Sequence, residues 1–285
     1  MPNIVLQRIG SISEDTVRSI KGIVEECYQR LEPHGVDLLD LILFESPAPM
    51  NAFYARERQR SGVMPETLSE QFSALHDAWK GTPRIGICLE RMEDLPQPVA
   101  IGTLRHEVAH SVLHGSVEHY VFPLTPPLLK ASKRFGISKE SSFSILYALS
   151  IAVKDFEATR LLVEKKYVED QLAYSCHVLT TSQDDLSAWR MAQGNSAAVA
   201  LCAASRLKDA ACTMAIGKAL QRSPVETLKK EFSYFPDRVL DSFLHVVEEL
   251  PQHMTGDTLH NVGVAVRLFI KMVLEPVFAE FSEQS

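Results

Sequence analysis

A disulfide pattern is missing from this 285-residue chain. Its five cysteines, Cys27, Cys88, Cys176, Cys202 and Cys212, are odd in number and scattered, and none forms a Cys-x-x-Cys pair. That excludes a disulfide framework and a sulfur-ligated metal, and it predicts core thiols in a reducing, cytoplasmic setting. Basic charge is also short, with 29 Lys and Arg against 36 Asp and Glu and a net charge of −7. Broad binding to nucleic acid or to an anionic membrane needs a basic surface, so neither is expected. Long apolar runs are absent too. The two best, "ILYALSIAV" at 145–153 and "SAAVALCAAS" at 196–205, stop at Lys154 and at Arg206. Both fall short of the roughly 18 to 20 residues of a membrane span and read as buried helix. The opening "MPNIVLQRIG" lacks a basic segment followed by an apolar one, so no secretory signal is expected.

What is present reads as a folded chain. Ser13 opens a capping signal, and Val17, Ile20, Val24, Cys27 and Leu31 recur at helical spacing, which predicts a helix over 13–31. "VDLLDLILFE" at 36–45 predicts a strand. Pro47 and Pro49 predict a loop or irregular segment over 46–64. Residues 66–81 predict a helix ending at Gly81. "PRIGICLERM" at 83–92 alternates Ile85, Ile87 and Leu89 with Gly86, Cys88 and Glu90, which predicts a strand with one buried face. After Gly115 the pattern is helical, with breaks near Pro123–Pro127, Gly136, Gly194, Pro224, Pro236 and Pro251. The expectation is an α+β fold: a small mixed α/β part over 1–120, then a larger all-helical part over 121–285.

The stretch "TLRHEVAHSVLHGSVEHY" at 103–120 carries the chemistry. His106 and His110 are four apart, so on a helix both project from one face and can share a tetrahedral zinc, Zn2+. Glu107 adjoins that face, where it can act as general base; together these are the His-Glu-x-x-His arrangement. Ile101, Leu104, Val108 and Val112 mark the opposite face as core, which leaves the histidine face turned to a cleft. A third ligand is not local. His114 lies eight residues beyond His106, roughly 12 Å along a helix, and reads as a second-sphere or rim residue, or as a helix-end cation. His119 lies past Gly115, and Leu113 and Ser116 stand where a metzincin pattern needs Gly and His.

The segment "SIAVKDFEATRLLVEKKY" at 150–167 offers two acids. Asp155 shares its face with Ala148, Ile151, Ala152, Thr159 and Leu162, which suit close packing. Glu157 shares its side with Lys154, Arg160 and Glu164, a face expected to be solvated. Asp155 is therefore the expected third ligand and Glu157 the alternative.

These two stretches resemble a known group. "HEVAHSVLHG" is similar to the zinc helix of ImmA/IrrE-type metallopeptidases. "DFEATRLL" is similar to the Glu-x-Glu-Ala-Asn/Asp segment that those proteins and the HtpX and CAAX-prenyl peptidases place on a later helix. The resemblance implies a gluzincin-like core, here without membrane spans, with Asp155 as ligand and Thr159 hydrogen-bonded to a ligand histidine. Asp replaces the pattern's Glu, and Thr replaces its Asn/Asp. The implied function is an intracellular zinc metallopeptidase, a hydrolase that cleaves peptide bonds with a zinc-activated water and Glu107 as base. Tyr147, Tyr167, Tyr174, His177 and Arg160 are candidate donors to the developing oxyanion. Strand 83–92 is expected to hold an extended peptide substrate by backbone pairing. The alternative is a zinc-containing regulatory or protein-binding module with an inactive site; a third reading is a metal-dependent hydrolase of a non-peptide bond. His76, His177, His245, His253 and His260 are scattered and read as bystanders.

Overall fold

The computed structural model describes residues 1–61 and 72–283. In chain order the elements are β1 (Asn3–Ile9), α1 (Glu14–Arg30), β2 (Leu38–Phe44), α2 (Pro47–Ser61), β3 (Ala74–Asp77), β4 (Arg84–Cys88), α3 (Leu89–Glu93) and α4 (Gln97–Leu113). A 3₁₀ turn at Val117–His119 follows. Then come α5 (Pro126–Phe135), α6 (Lys139–Glu164), α7 (Val168–Leu179), α8 (Gln183–Ala192), α9 (Ser196–Ala219) and α10 (Val225–Glu231). The chain closes with α11 (Asp237–His253), α12 (Thr258–Phe269), a π-helical stretch at Ile270–Leu274 and α13 (Glu275–Glu283). The fold is α+β. Two compact units form: Met1–Tyr120 with Leu161–Tyr174, and Val121–Arg160 with Ser175–Ser285.

The first unit is built on a four-stranded sheet of order β1-β2-β4-β3. β1 and β4 run parallel to β2, and β3 runs antiparallel to β4 at the edge. β2 and β4 are interior strands, which explains the near-continuous apolar run "LLDLILF". Leu41 pairs with Ile85, and Leu43 with Ile87, on one face; Ile42 pairs with Gly86, and Phe44 with Cys88, on the other. α2 covers the second face through Met50 and Tyr54, which pack with Ile42, Phe44 and Cys88. Gly86 makes that approach possible, because a Cβ there would lie 2.2 Å from the Tyr54 hydroxyl oxygen. Arg84 is buried and gives two hydrogen bonds to Asp77 (2.9 and 3.0 Å) and one to Glu57 (3.0 Å), tying β4, β3 and α2 together.

Several sequence expectations change here. Of the loop expected over 46–64, residues 46–61 are described, and Pro47–Ser61 are helical. Pro47 and Pro49 sit in its first turn, where amides have no helical partner and proline is tolerated. The helix over 66–81 has residues 66–71 outside the described residues, and its later part contains β3. Pairing with β4 outweighs the helical spacing of Phe72, Leu75 and Trp79. The strand over 83–92 ends at Cys88, opposite the last residue of β2, and Leu89–Glu93 turn into α3. β4 is buried on both faces rather than one. Pro251 does not break the chain but lies in the last turn of α11. All five cysteines are free, but Cys176 is exposed rather than core.

The second unit is helical in all its described elements. α1 of the first unit and α5 of the second illustrate how the helices are bounded. Ser13 and Thr125 accept the amide hydrogens of Thr16 and Leu128 at their starts, and Gly136 ends α5 with φ +66°. The core of the second unit gathers Ile145, Leu149, Val153 and Phe156 of α6 with Ala200, Ala203, Ala204 and Leu207 of α9. The two apolar runs of the sequence are these buried stretches, and no helix among the described residues is long and apolar enough to cross a membrane.

Candidate metal centre

α4 carries the His-Glu-x-x-His residues. Pro98 falls at its N-terminal turn and His114 at its C-cap, so the helix stops beside Gly115 as expected. The helix is buried around most of its circumference: residues 102–104 and 106–111 are all buried. The sequence expectation of one core face and one open face does not hold, because α4 packs against α1, β3 and β4. Its other neighbour is the first half of α7. Asp170 accepts from Arg105 (2.6 Å), and Gln171 donates to the Gly102 carbonyl (3.0 Å). Glu26 of α1 takes a second bond from Arg105 and one from the Tyr167 hydroxyl (2.8 Å). α7 comes this close because residue 102 is glycine; a Cβ there would lie 2.5 Å from the Asp170 carbonyl oxygen. Gly102→Ala is therefore expected to lower stability by about 1–3 kcal/mol, although alanine is the better helix former. Urea unfolding reads this out, and an unchanged or raised midpoint would show that α7 yields at no cost.

The ring nitrogens converge. His106 Nε2 and His110 Nε2 are 3.0 Å apart, with the rings near perpendicular at 84°. Two imidazole nitrogens that each sit about 2.0–2.1 Å from one tetrahedral zinc are separated by roughly 3.3 Å, so the pair is close to the spacing that a shared ion requires. Both are buried, at 1% and 8% exposure, as is Glu107 at 8%. The pair offers two imidazole nitrogens, a donor type that zinc takes, while Asp155 belongs to the second unit.

The surroundings hold these rings. His110 Nδ1 faces His114 Nδ1 at 3.0 Å, and His114 is fully buried. Tyr174 packs on His106 with ring centroids 4.7 Å apart. Ser111 donates to the Val108 carbonyl (2.6 Å), so the Tyr28 hydroxyl, 2.5 Å away, donates to Ser111 and pins α1 to α4. His119 lies edge-on to His114, with centroids 5.3 Å apart, and does not join the converging set. Thr159 is fully buried on α6.

Glu157 departs furthest from expectation. Its face is solvated only in part: Glu157 is 4% exposed and Lys154 8%, while Arg160 is half-buried and Glu164 exposed. The carboxylate accepts hydrogen bonds from Thr258 Oγ1 (2.8 Å) and Asn261 Nδ2 (2.5 Å), at the start of α12. Burial raises its pKa, partly offset by those two bonds. Among the candidate oxyanion donors, Tyr147 and His177 are exposed, Arg160 lies over Phe156, and the Tyr167 hydroxyl is bonded to Glu26. Tyr174 packs on His106.

His76 lies near the histidine pair, but among the described residues it does not join a group able to hold a metal. It comes from β3, and its ring lies parallel to that of His110, 6.2 Å between centroids and 6° between planes. Its Nδ1 is 2.5 Å from the Tyr120 hydroxyl. The strand alternation of Ala74, Leu75, His76 and Asp77 was the one local signal of its direction; nothing nearby in sequence announces its partners.

No protein-family model, characterised protein or solved structure matches the chain.

Proposed function

We propose that this protein is a zinc-dependent metallopeptidase, with His106, His110 and Asp155 as metal ligands and Glu107 as general base. The observation that carries the reading is the convergence of the two Nε2 atoms on a buried helix that also presents Glu107. Asp155 is proposed as third ligand from its helical face, which it shares with Ala148, Ile151, Ala152 and Thr159. When bound, zinc acts as a Lewis acid that polarises a carbonyl and acidifies water. The protein's own groups do the rest. Glu107 removes the proton of the attacking water and delivers it to the leaving amine. With its Nδ1 hydrogen turned to His114, His110 would keep the Nε2 lone pair for the metal. Thr159, one helical turn beyond Asp155, is the side chain assigned to brace a ligand histidine. The substrate is an extended peptide. Strand 83–92 was expected to hold it, but β4 is interior, so that role passes to the edge strand β3.

A second reading is a zinc-holding module without hydrolytic activity; the near-complete burial of the histidines and Glu107 favours it. Elemental analysis of purified protein tests what both share. About one zinc per chain is expected, and less than a tenth of an equivalent after growth with added zinc rejects both. Incubation with a mixed peptide library, read by mass spectrometry, then separates them: new termini that vanish on chelation support the peptidase.

A further inference from the structure

The burial pattern of α6 leaves one track open. From position 143 to position 159 the residues that are not buried are Phe143, Ser144, Tyr147, Ile151 and Asp155. Phe143, Tyr147, Ile151 and Asp155 are each four apart, so they form a single ridge along the helix. The opposite side, with Ile145, Leu149, Val153 and Phe156, belongs to the core of the second unit. Phe143 is 40% exposed and Tyr147 55%, while Ile151 and Asp155 are half-buried. Three of the four ridge side chains are aromatic or aliphatic, and the fourth is the proposed third ligand. Single exposed apolar side chains are ordinary, but apolar groups in a continuous row mark surfaces that bind. Tyr147 stands eight residues before Asp155, about 12 Å along the helix axis. An extended peptide covers that span in about three or four residues.

We infer that the ridge of Phe143, Tyr147 and Ile151 is a docking track for the substrate of the metal site. It selects an extended peptide with an apolar side chain about three or four residues from the bond that is cut. The inference rests on the zinc peptidase reading above and adds a substrate class to it. Tyr147 is the anchor, because it is the more exposed of the two aromatic rings and the nearer to Asp155. A phenol ring offers a broad apolar face at little cost in rotamer freedom, and its hydroxyl can stay in water. The occupant is identified by where the ridge ends: a surface that leads to a ligand of the metal is met by what the metal acts on. Backbone pairing along an edge strand is nearly blind to sequence, so side-chain contacts of this kind are what choose among peptides.

The test uses the full chain carrying Glu107→Gln and loaded with zinc, so that bound peptide is not cut. Two fluorescein-labelled dodecapeptides are the probes, one alternating Ser with Leu and the other Ser with Asn. Alternation puts every Leu on one side of an extended chain. Fluorescence anisotropy gives the affinities. The Leu peptide is expected to bind at least about tenfold more tightly, the low end of what apolar contacts contribute to discrimination. Adding Tyr147→Ser should cut that preference to about twofold or less with zinc content unchanged. Adding Leu129→Ser, which removes an exposed apolar residue of α5 away from the ridge, should leave it intact. Equal binding of the two peptides, or a preference that survives Tyr147→Ser, overturns the docking role while the zinc reading stands. A preference lost equally with Leu129→Ser overturns it too. A parent chain that takes up no zinc overturns the zinc reading, and this inference with it.

Discussion

Glu107→Gln is expected to keep its zinc and to hydrolyse peptides about 10²–10⁴-fold more slowly than the parent, the usual worth of a positioned general base. Glutamine matches glutamate in shape, so the 8%-exposed pocket around the side chain is preserved. It cannot accept a proton from water at neutral pH, so the chemical step loses its base. The metal should stay, because the converging Nε2 atoms belong to His106 and His110 and not to Glu107. Zinc content and turnover of the same preparation are the paired measurements. Loss of both together makes Glu107 a ligand, and undiminished turnover places the base elsewhere.

A second large effect is expected far from the histidine helix. Read from its own helix alone, Glu157 is a surface residue whose removal should cost at most about 1 kcal/mol. Its actual surroundings predict otherwise. Thr258 and Asn261 both donate to it, in the first turn and a half of α12, where unpaired amides and the helix dipole favour an anion. Asn261 is fully buried, and its Oδ1 is committed to the Thr255 amide. Alanine at 157 removes the acceptor of the Thr258 hydroxyl and of one Asn261 Nδ2 hydrogen, the other still reaching the Thr255 carbonyl. Glu157→Ala is therefore expected to destabilise by about 1–3 kcal/mol. Glu157→Gln should cost less than about 1 kcal/mol, since an amide oxygen can face Asn261 while the amide nitrogen donates to the Thr258 oxygen. Urea denaturation of the two variants checks this. Equal stabilities for Ala and Gln would refute the account.

The difference between these two acids shows what spacing can and cannot reveal. His106, Glu107 and His110 are local: four residues of helix set their relation, and the structure keeps it. Asp155 and Glu157 could be ranked by their own helical neighbours, but the partners of Glu157 lie about a hundred residues away on α12, and no wheel contains them. α1 and the helical second half were legible from their helical period, and β2 from its short apolar run. β3 was not, since four residues carry too little pattern to outweigh the helical spacing around them. α2 was hidden by Pro47 and Pro49, whose meaning depends on whether they stand inside a helix or at its first turn. His76 shares the fate of β3: a strand misread as helix sends the imidazole in the wrong direction, and the meeting with His110 and Tyr120 is lost with it.

The return of Leu161–Tyr174 to the first unit bears on how the protein is made. During synthesis from the N-terminus, α4 emerges with Arg105 and the Gly102 carbonyl waiting for partners 65 and 69 residues further along. A ribosome that has just released residue 120 holds a sheet and a histidine helix whose α7 side is bare. Glu26 on α1 likewise waits for Tyr167, 141 residues later. Such long closures are slow to form and leave apolar surface open in the interval. A fragment ending at Tyr120 should therefore aggregate or bind a holdase chaperone, and adding back Leu161–Tyr174 in cis through a short linker is the repair that this topology suggests.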